Sequence, residues 1–177
     1  MSAGETFTAL GVAVLTVSDS RDEASDTSGH YLQDVLSGAG HRVLEKCIVK
    51  DDIYQIRAVL SRWIADDAVQ AVLVTGGTGF SGRDSTPEAV SVLFDKEIHG
   101  FGEVFRAVSF EEIGSSTVQS RALAGLANNT VIFCMPGSTG ACKTAWTRLI
   151  AEQLDSRHRP CNFVGVLNTR RSGAESG

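Results

Sequence analysis

The sequence predicts a three-layer α/β/α domain on a mostly parallel sheet, and three observations carry that prediction. The runs Gly11–Val17, Ala71–Val74 and Thr130–Met135 are short, nearly continuous and apolar, the pattern of strands covered on both faces. Stretches with helical spacing of apolar residues lie between them. Each run also passes directly into a polar loop, and parallel strands bring such loops to one edge of the sheet.

At 177 residues the chain reads as one domain over 1–177, with a short N-terminal extension and a flexible tail from about residue 170. Its 42% hydrophobic and 21% charged residues are ordinary for a soluble globular protein. A net charge of -5 argues against nucleic acid or an anionic membrane as partner and leaves a small molecule. The four cysteines show no metal-finger spacing, and Cys47 and Cys134, inside strand-like runs, read as core thiols of a reducing compartment. The start MSAGETFTAL lacks a basic segment and a long apolar core, and no run approaches the ~20 residues of a membrane span. The expectation is a soluble, cytoplasmic protein.

Taken in order, Gly11–Val17 is the first strand and ends in Ser18-Asp19-Ser20-Arg21. Asp26, Thr27 and Ser28 offer caps for a helix over Gly29–Ser37, which Gly38 and Gly40 end. His41–Val49 reads as a strand and Ile53–Ala65 as a helix with Ile53, Ile56, Leu60 and Ile64 on one stripe. After the strand at Ala71 comes a helix over Pro87–Phe94, begun by a hydroxyl cap, a proline in the first turn and an acid near the positive dipole end. Helices are further expected over Gly100–Glu112, Ser116–Ala124 and Thr139–Leu154, with the strand Thr130–Met135 before the last. Trp63 and Trp146 read as core or subunit contacts, and Phe101, Val104 and Phe105 as core or oligomer interface.

The chain is organised around AVLVTGGTGFSGRDSTPE, Ala71 to Glu88. Four glycines between Thr75 and Gly82 let the backbone turn tightly and approach a ligand. Gly77, Gly79 and Gly82 fit the dinucleotide fingerprint by letter, but the helix starts too late and the strand is the third in the chain. Gly137-Ser-Thr-Gly-Ala-Cys142-Lys143-Thr144 misses the triphosphate-wrapping loop because Cys142 stands where its last glycine should. The loops after three strands remain, Ser18–Ser28, Thr75–Asp84 and Pro136–Ser138, and Lys50–Asp52 joins them if His41–Val49 runs parallel. Their hydroxyls, glycine backbone, Arg83 and Asp84, joined by Asp51 or Asp52, suit phosphoryl or nucleotidyl transfer. That chemistry needs positioning and charge neutralisation, with Mg²⁺ held by one or two carboxylates and the rest of its shell from water and substrate phosphates. None of the four histidines stands in these loops.

The combination TGGTG, RDSTPEA, GFGEVFR, SRALAG and MPGST, spread over about Gly11 to Phe163, resembles the molybdopterin adenylyltransferase (MogA/MoaB) family of molybdenum-cofactor biosynthesis, its MoaB branch in particular. The resemblance implies a three-layer α/β domain that forms a homo-trimer or homo-hexamer. It implies Mg²⁺ as cofactor and ATP and molybdopterin as substrates, with AMP passed to the pterin's terminal phosphate and pyrophosphate released. Carried over by position, Asp84 matches the metal-associated catalytic aspartate and Asp51 a second one, with Asp52 adjacent. Thr75, Gly76, Gly77, Thr78, Gly79, Ser81, Gly82 and Arg83 match the loop against phosphate and pterin. Ser109 and Ser120 match pterin-contacting serines; Asp19, Asp26 and Ser28 match the loop after the first strand; Pro136, Gly137 and Ser138 match a nucleotide-side turn. Some MoaB-branch members carry a degraded motif, and a catalytically inactive oligomer that holds or delivers molybdopterin is the alternative. Here Arg83, Asp84, Thr86, Pro87, Glu88 and Ala89 are intact.

Overall fold

The structure, a computed structural model, describes residues 6–167. The expected tail from residue 170 lies outside them. Elements follow in the order β1 (Gly11–Val17), α1 (Thr27–Gly38), β2 (Arg42–Val49), α2 (Ile53–Ala65), β3 (Ala71–Thr75), α3 (Thr86–Ser91), β4 (Lys96–Glu97), α4 (His99–Ile113), β5 (Leu123–Ala127), β6 (Thr130–Met135) and α5 (Thr139–Ala145). The helix of α5 runs on through a π-type turn at Trp146–Ile150 to Gln153.

Among the described residues one sheet runs β2-β1-β3-β6-β5-β4. The first four strands are parallel, while β5 runs antiparallel to β6 and β4 antiparallel to β5. The continuous apolar runs are explained by burial on both faces. Val12, Val14, Ala71, Leu73, Val131 and Phe133 point to one core with Leu32, Phe105 and Trp146 from α1, α4 and the last helix. Ala13, Leu15, Val72, Val74, Ile132 and Cys134 point to the other, with Ile56, Leu60 and Trp63 from α2 and Ala89 and Val90 from α3. Successive strand residues face opposite sides, so one run supplies both layers. Trp63, Trp146, Phe101 and Phe105 are core residues; Val104 is 46% exposed.

Two segments depart from the expected pattern. The helix expected over Ser116–Ala124 is instead a 3₁₀ turn at Gly114–Gln119 followed by β5. LAGLA has no β-branched residue, and it becomes a strand by pairing with β6 across Asn128 and Asn129. Those two asparagines take φ of 50° and 62°, the left-handed pair that closes a two-residue hairpin. The helix expected over Pro87–Phe94 stops at Ser91, where the chain turns into the short edge strand β4.

Candidate functional site

All four parallel strands end on the same edge, and β1 and β3, whose connections leave to opposite sides, lie side by side there. That junction is where open α/β sheets leave a crevice. A cleft of roughly 490 Å³ occupies it. The β1 end contributes Asp19 and Arg21, the β2 end Asp51, and the glycine loop Thr75, Gly76, Gly77, Thr78, Gly79, Arg83 and Asp84. The β6 end supplies Pro136, Gly137 and Ser138, and a wall from α4 and the following turn supplies Ser109 and Ser120. Ser138 also caps α5, its hydroxyl oxygen accepting from the amide of Ala141 at 3.1 Å.

The loop conformation depends on glycine at two points. Gly76 has φ 104°, and a Cβ there would lie 2.1 Å from the Val17 carbonyl oxygen. Gly77 has φ 68°, and its Cβ would meet Thr86 Oγ1 at 2.3 Å and Asp51 Oδ2 at 2.8 Å. Bare backbone is therefore what fits between β1, the Asp51 carboxylate and α3.

The carboxylates divide by environment. Asp19 receives both Nε and Nη2 of Arg83 at 2.9 Å, and also the Asp51 amide at 3.1 Å. That guanidinium holds the Asp19 carboxyl down to about 2. Asp51 is buried, and its Oδ1 accepts from both the amide (3.0 Å) and the hydroxyl of Ser85. Burial pushes its carboxyl up; the Ser85 bonds oppose this, while the charges of Asp84 and Asp19 add to it. Ser85 stands at the expected cap of α3, but its hydroxyl is turned to Asp51 and makes no cap bond. Asp52, by contrast, caps α2, accepting from the amides of Tyr54 and Gln55 at 3.0 and 2.8 Å. Asp84 Oδ2 accepts from the Ser81 amide at 2.8 Å.

Asp26 and Ser28 do not line the cleft; both are buried behind it at the start of α1. Asp26 caps α1 through the Gly29 amide at 2.9 Å and accepts from Thr16 Oγ1 at 2.8 Å. Ser81 and Gly82 lie on the exposed outer turn of the glycine loop. Arg121 acts on that loop from outside. Its Nε donates to the Gly79 carbonyl at 2.9 Å, Nη2 to the Asp84 carbonyl at 3.1 Å, and Nη1 to Glu88. It also stacks 5.1 Å from the Phe80 ring centre. Lys143, of the near-miss phosphate loop, is exposed away from the cleft, while the neighbouring Cys142 is buried against Thr75 Oγ1 at 3.2 Å.

The family described as a probable molybdopterin binding domain matches residues 13–156. The chain belongs to that family. This molybdopterin-binding-family chain is 62% identical over 157 residues to molybdenum cofactor biosynthesis protein B of Escherichia coli K12, covering 89% of the chain and 92% of that protein. It is 50% identical over 143 residues to the protein of the same name from Bacillus cereus, covering 80% and 84%. A crystal structure of molybdenum cofactor biosynthesis protein B superposes with a TM-score of 0.84 at 40% identity, over 96% of this chain and 99% of that one. The tungsten cofactor synthesizing protein MoaB of Pyrococcus furiosus superposes with a TM-score of 0.73 at 39% identity, over 81% and 92%. The expected fold class agrees with these neighbours.

Within this family domain, Arg21 lines the cleft without having been expected there, as do Ser18, Ser116, Thr117 and Gln119, because an arginine, hydroxyl or amide in a polar loop carries no signature of its own. For Arg21 the loop's position after β1 was the available signal. Among the described residues no group of three or more His, Cys, Asp or Glu is placed to hold a metal ion, and no helix is long and apolar enough to cross a membrane. A Mg²⁺ held by Asp51 and Asp84 alone, completed by water and phosphate oxygens, is compatible with the donor set. Asp51 Oδ2 and Asp84 Oδ1 accept no hydrogen bond among the described residues. The Asp51 carboxylate also sits in an excess of negative charge that a divalent cation would relieve.

Proposed function

We propose that this chain acts in molybdenum-cofactor biosynthesis as a Mg²⁺-dependent molybdopterin adenylyltransferase. The observation that carries the reading is the Asp51–Asp84 pair facing the glycine loop in the cleft of a molybdopterin-binding-family domain. An oxygen of the pterin's phosphate attacks the α-phosphorus of ATP; the new P–O bond forms as the bond to the β-phosphate oxygen breaks, and pyrophosphate leaves. Mg²⁺, when bound at Asp51 and Asp84, supplies neutralisation of the phosphate charge. Gly77 and Gly79 let the loop backbone lie against the Asp51 and Asp84 carboxylates, where a Cβ would meet Asp51 Oδ2 and Asp84 Oδ2 at 2.8 Å each. Ser109 and Ser120, on the opposite wall, offer hydroxyls for the polar edge of the pterin. Ser85 keeps Asp51 in place through two bonds to one oxygen and leaves the other for the metal. Arg121 fixes the loop that carries Asp84.

The test is pyrophosphate release from protein supplied with Mg-ATP and molybdopterin, with Asp84→Ala as control. Release that requires the pterin and disappears in the variant supports the enzyme. The second reading is a pterin-holding oligomer without transferase activity. Folded protein that binds molybdopterin but releases no pyrophosphate would establish it. In either case we expect a homo-trimer or homo-hexamer. The apolar Phe110, Ile113 and Val118, each more than half exposed, support self-association, and light scattering checks it.

A further inference from the structure

Among the described residues two arginines line the cleft, and their circumstances are opposite. Arg83 is bound through Nε and Nη2 to both oxygens of Asp19, so its charge is paired within the protein. Arg21 is held at one nitrogen only: Nη1 donates to the Ser28 hydroxyl, and Asp26 Oδ1 stands 3.9 Å away. Asp26 has a nearer cation, Lys46 Nζ at 3.1 Å, whose side chain is only 5% exposed. Nε and Nη2 of Arg21 meet no acceptor among the described residues, and the side chain is 30% exposed at the cleft.

Its placement is prepared on both sides. The Arg21 amide donates to Ser18 Oγ at 3.1 Å, which fixes the backbone of the turn after β1. Ser28, buried, donates onward to Asp26 at 3.5 Å, so the hydroxyl that orients the guanidinium is itself anchored in the first turn of α1. A fork with one tine fixed and the others open to a cleft suits a phosphate, whose oxygens accept from parallel N–H groups.

We infer that Arg21 anchors a phosphoryl group of the ligand at the end of the cleft opposite the Asp51–Asp84 pair. This rests on the reading of the cleft as a site for phosphorylated ligands. The two ends belong to different layers. Asp51 and Ser85 stand at the starts of α2 and α3 on one face of the sheet, and Ser28 belongs to α1 on the other. A phosphorylated ligand lying across the strand ends meets carboxylates at one side and a guanidinium at the other. Without Arg21, the cleft would offer an anion the Asp51 and Asp84 carboxylates and an Arg83–Asp19 pair whose charges offset each other.

The full chain is titrated calorimetrically with inorganic pyrophosphate in the absence of Mg²⁺, so that the aspartate pair makes no metal-mediated contribution. Arg21→Gln is expected to weaken binding at least about tenfold, the order of one charge-assisted bidentate contact. Arg21→Lys should recover part of that loss, Ser28→Ala should fall between, and Asp84→Asn should bind at least as tightly as the parent. Parent-like affinity in Arg21→Gln, or no pyrophosphate binding by the parent, overturns the inference. If Arg21→Gln does not fold, Ser28→Ala decides, and unchanged affinity there overturns it as well. Parallel titrations with ATP and with molybdopterin show whose phosphate is held, by which affinity falls in Arg21→Gln. Pyrophosphate release is assayed separately: its absence in a protein whose pyrophosphate affinity still depends on Arg21 would remove the transferase and leave this inference standing.

Discussion

Two buried aspartates, Asp26 behind the cleft and Asp51 within it, follow β1 and β2 respectively and differ in every partner. Asp26 is satisfied by the Gly29 amide, Thr16, and Lys46 at 3.1 Å. Burial alone would push its carboxyl up, but those partners outweigh burial and bring it below the ordinary 3.8. Asp51 has only Ser85 on one oxygen, with Asp84 and Asp19 as like-charged neighbours, and burial raises it above 3.8. Compensation marks a carboxylate that holds the fold. Lack of it is what the proposed Mg²⁺ site would draw on.

The largest effect expected from breaking that contrast is on turnover. Asp84→Asn and Asp51→Asn should each reduce pyrophosphate release on the order of 10³-fold, about 4 kcal/mol of transition-state stabilisation. A loss below tenfold in both would remove the aspartate pair from the mechanism. Asp26→Asn should act on stability instead, lowering it by about 2 kcal/mol in urea unfolding, because Lys46 loses its buried counterion and keeps only the exposed Glu23 at 2.9 Å. Equal unfolding midpoints for parent and variant would contradict the compensated role. Asp51→Asn keeps the Oδ1 acceptor and should gain stability at neutral pH, because burial disfavours the Asp51 carboxylate, while losing turnover.

A smaller effect is expected at Arg121. Arg121→Ala releases the Gly79 and Asp84 carbonyls and should raise the KM for ATP about tenfold with less change in the unfolding midpoint. The finest test is the pH dependence of the two aspartate variants. The folded value of Asp26 lies below 3.8, so its stabilisation is complete above that pH and is lost as pH falls through the folded value. The folded value of Asp51 lies above 3.8, so its cost is absent in acid and appears as pH rises through 3.8 and then through the folded value. The deficit of Asp26→Asn and the gain of Asp51→Asn should therefore both shrink in unfolding measured below about pH 4, from opposite signs at pH 7.

Much of the fold was legible because local chemistry and tertiary context agree. Gly11–Val17 and Thr130–Met135 are strands on their residues alone, and α2 spans Ile53–Ala65, where the stripe of isoleucines and leucine placed it. β5 was not legible: Leu123–Ala127 has weak intrinsic preference, and pairing with β6 makes it a strand. The local signal was the Asn128-Asn129 turn between two apolar runs. The loops of the site were legible from their place after parallel strands. The difference between neighbours within them was not: nothing in Lys50-Asp51-Asp52 says that Asp52 caps a helix while Asp51 enters the cleft.

By itself, the sequence determined the layered architecture, the edge on which ligand loops gather and the residues available there, since apolar runs and glycine placement act over a few neighbours. Only the tertiary structure decided how those residues are used. Asp19 turns to Arg83, Ser85 to Asp51 and Arg121 to the glycine loop, while Arg21 is left with open donors. Each of those outcomes joins groups on different elements, and a charge's partner depends on distance through the fold, which a chain read one residue at a time does not contain.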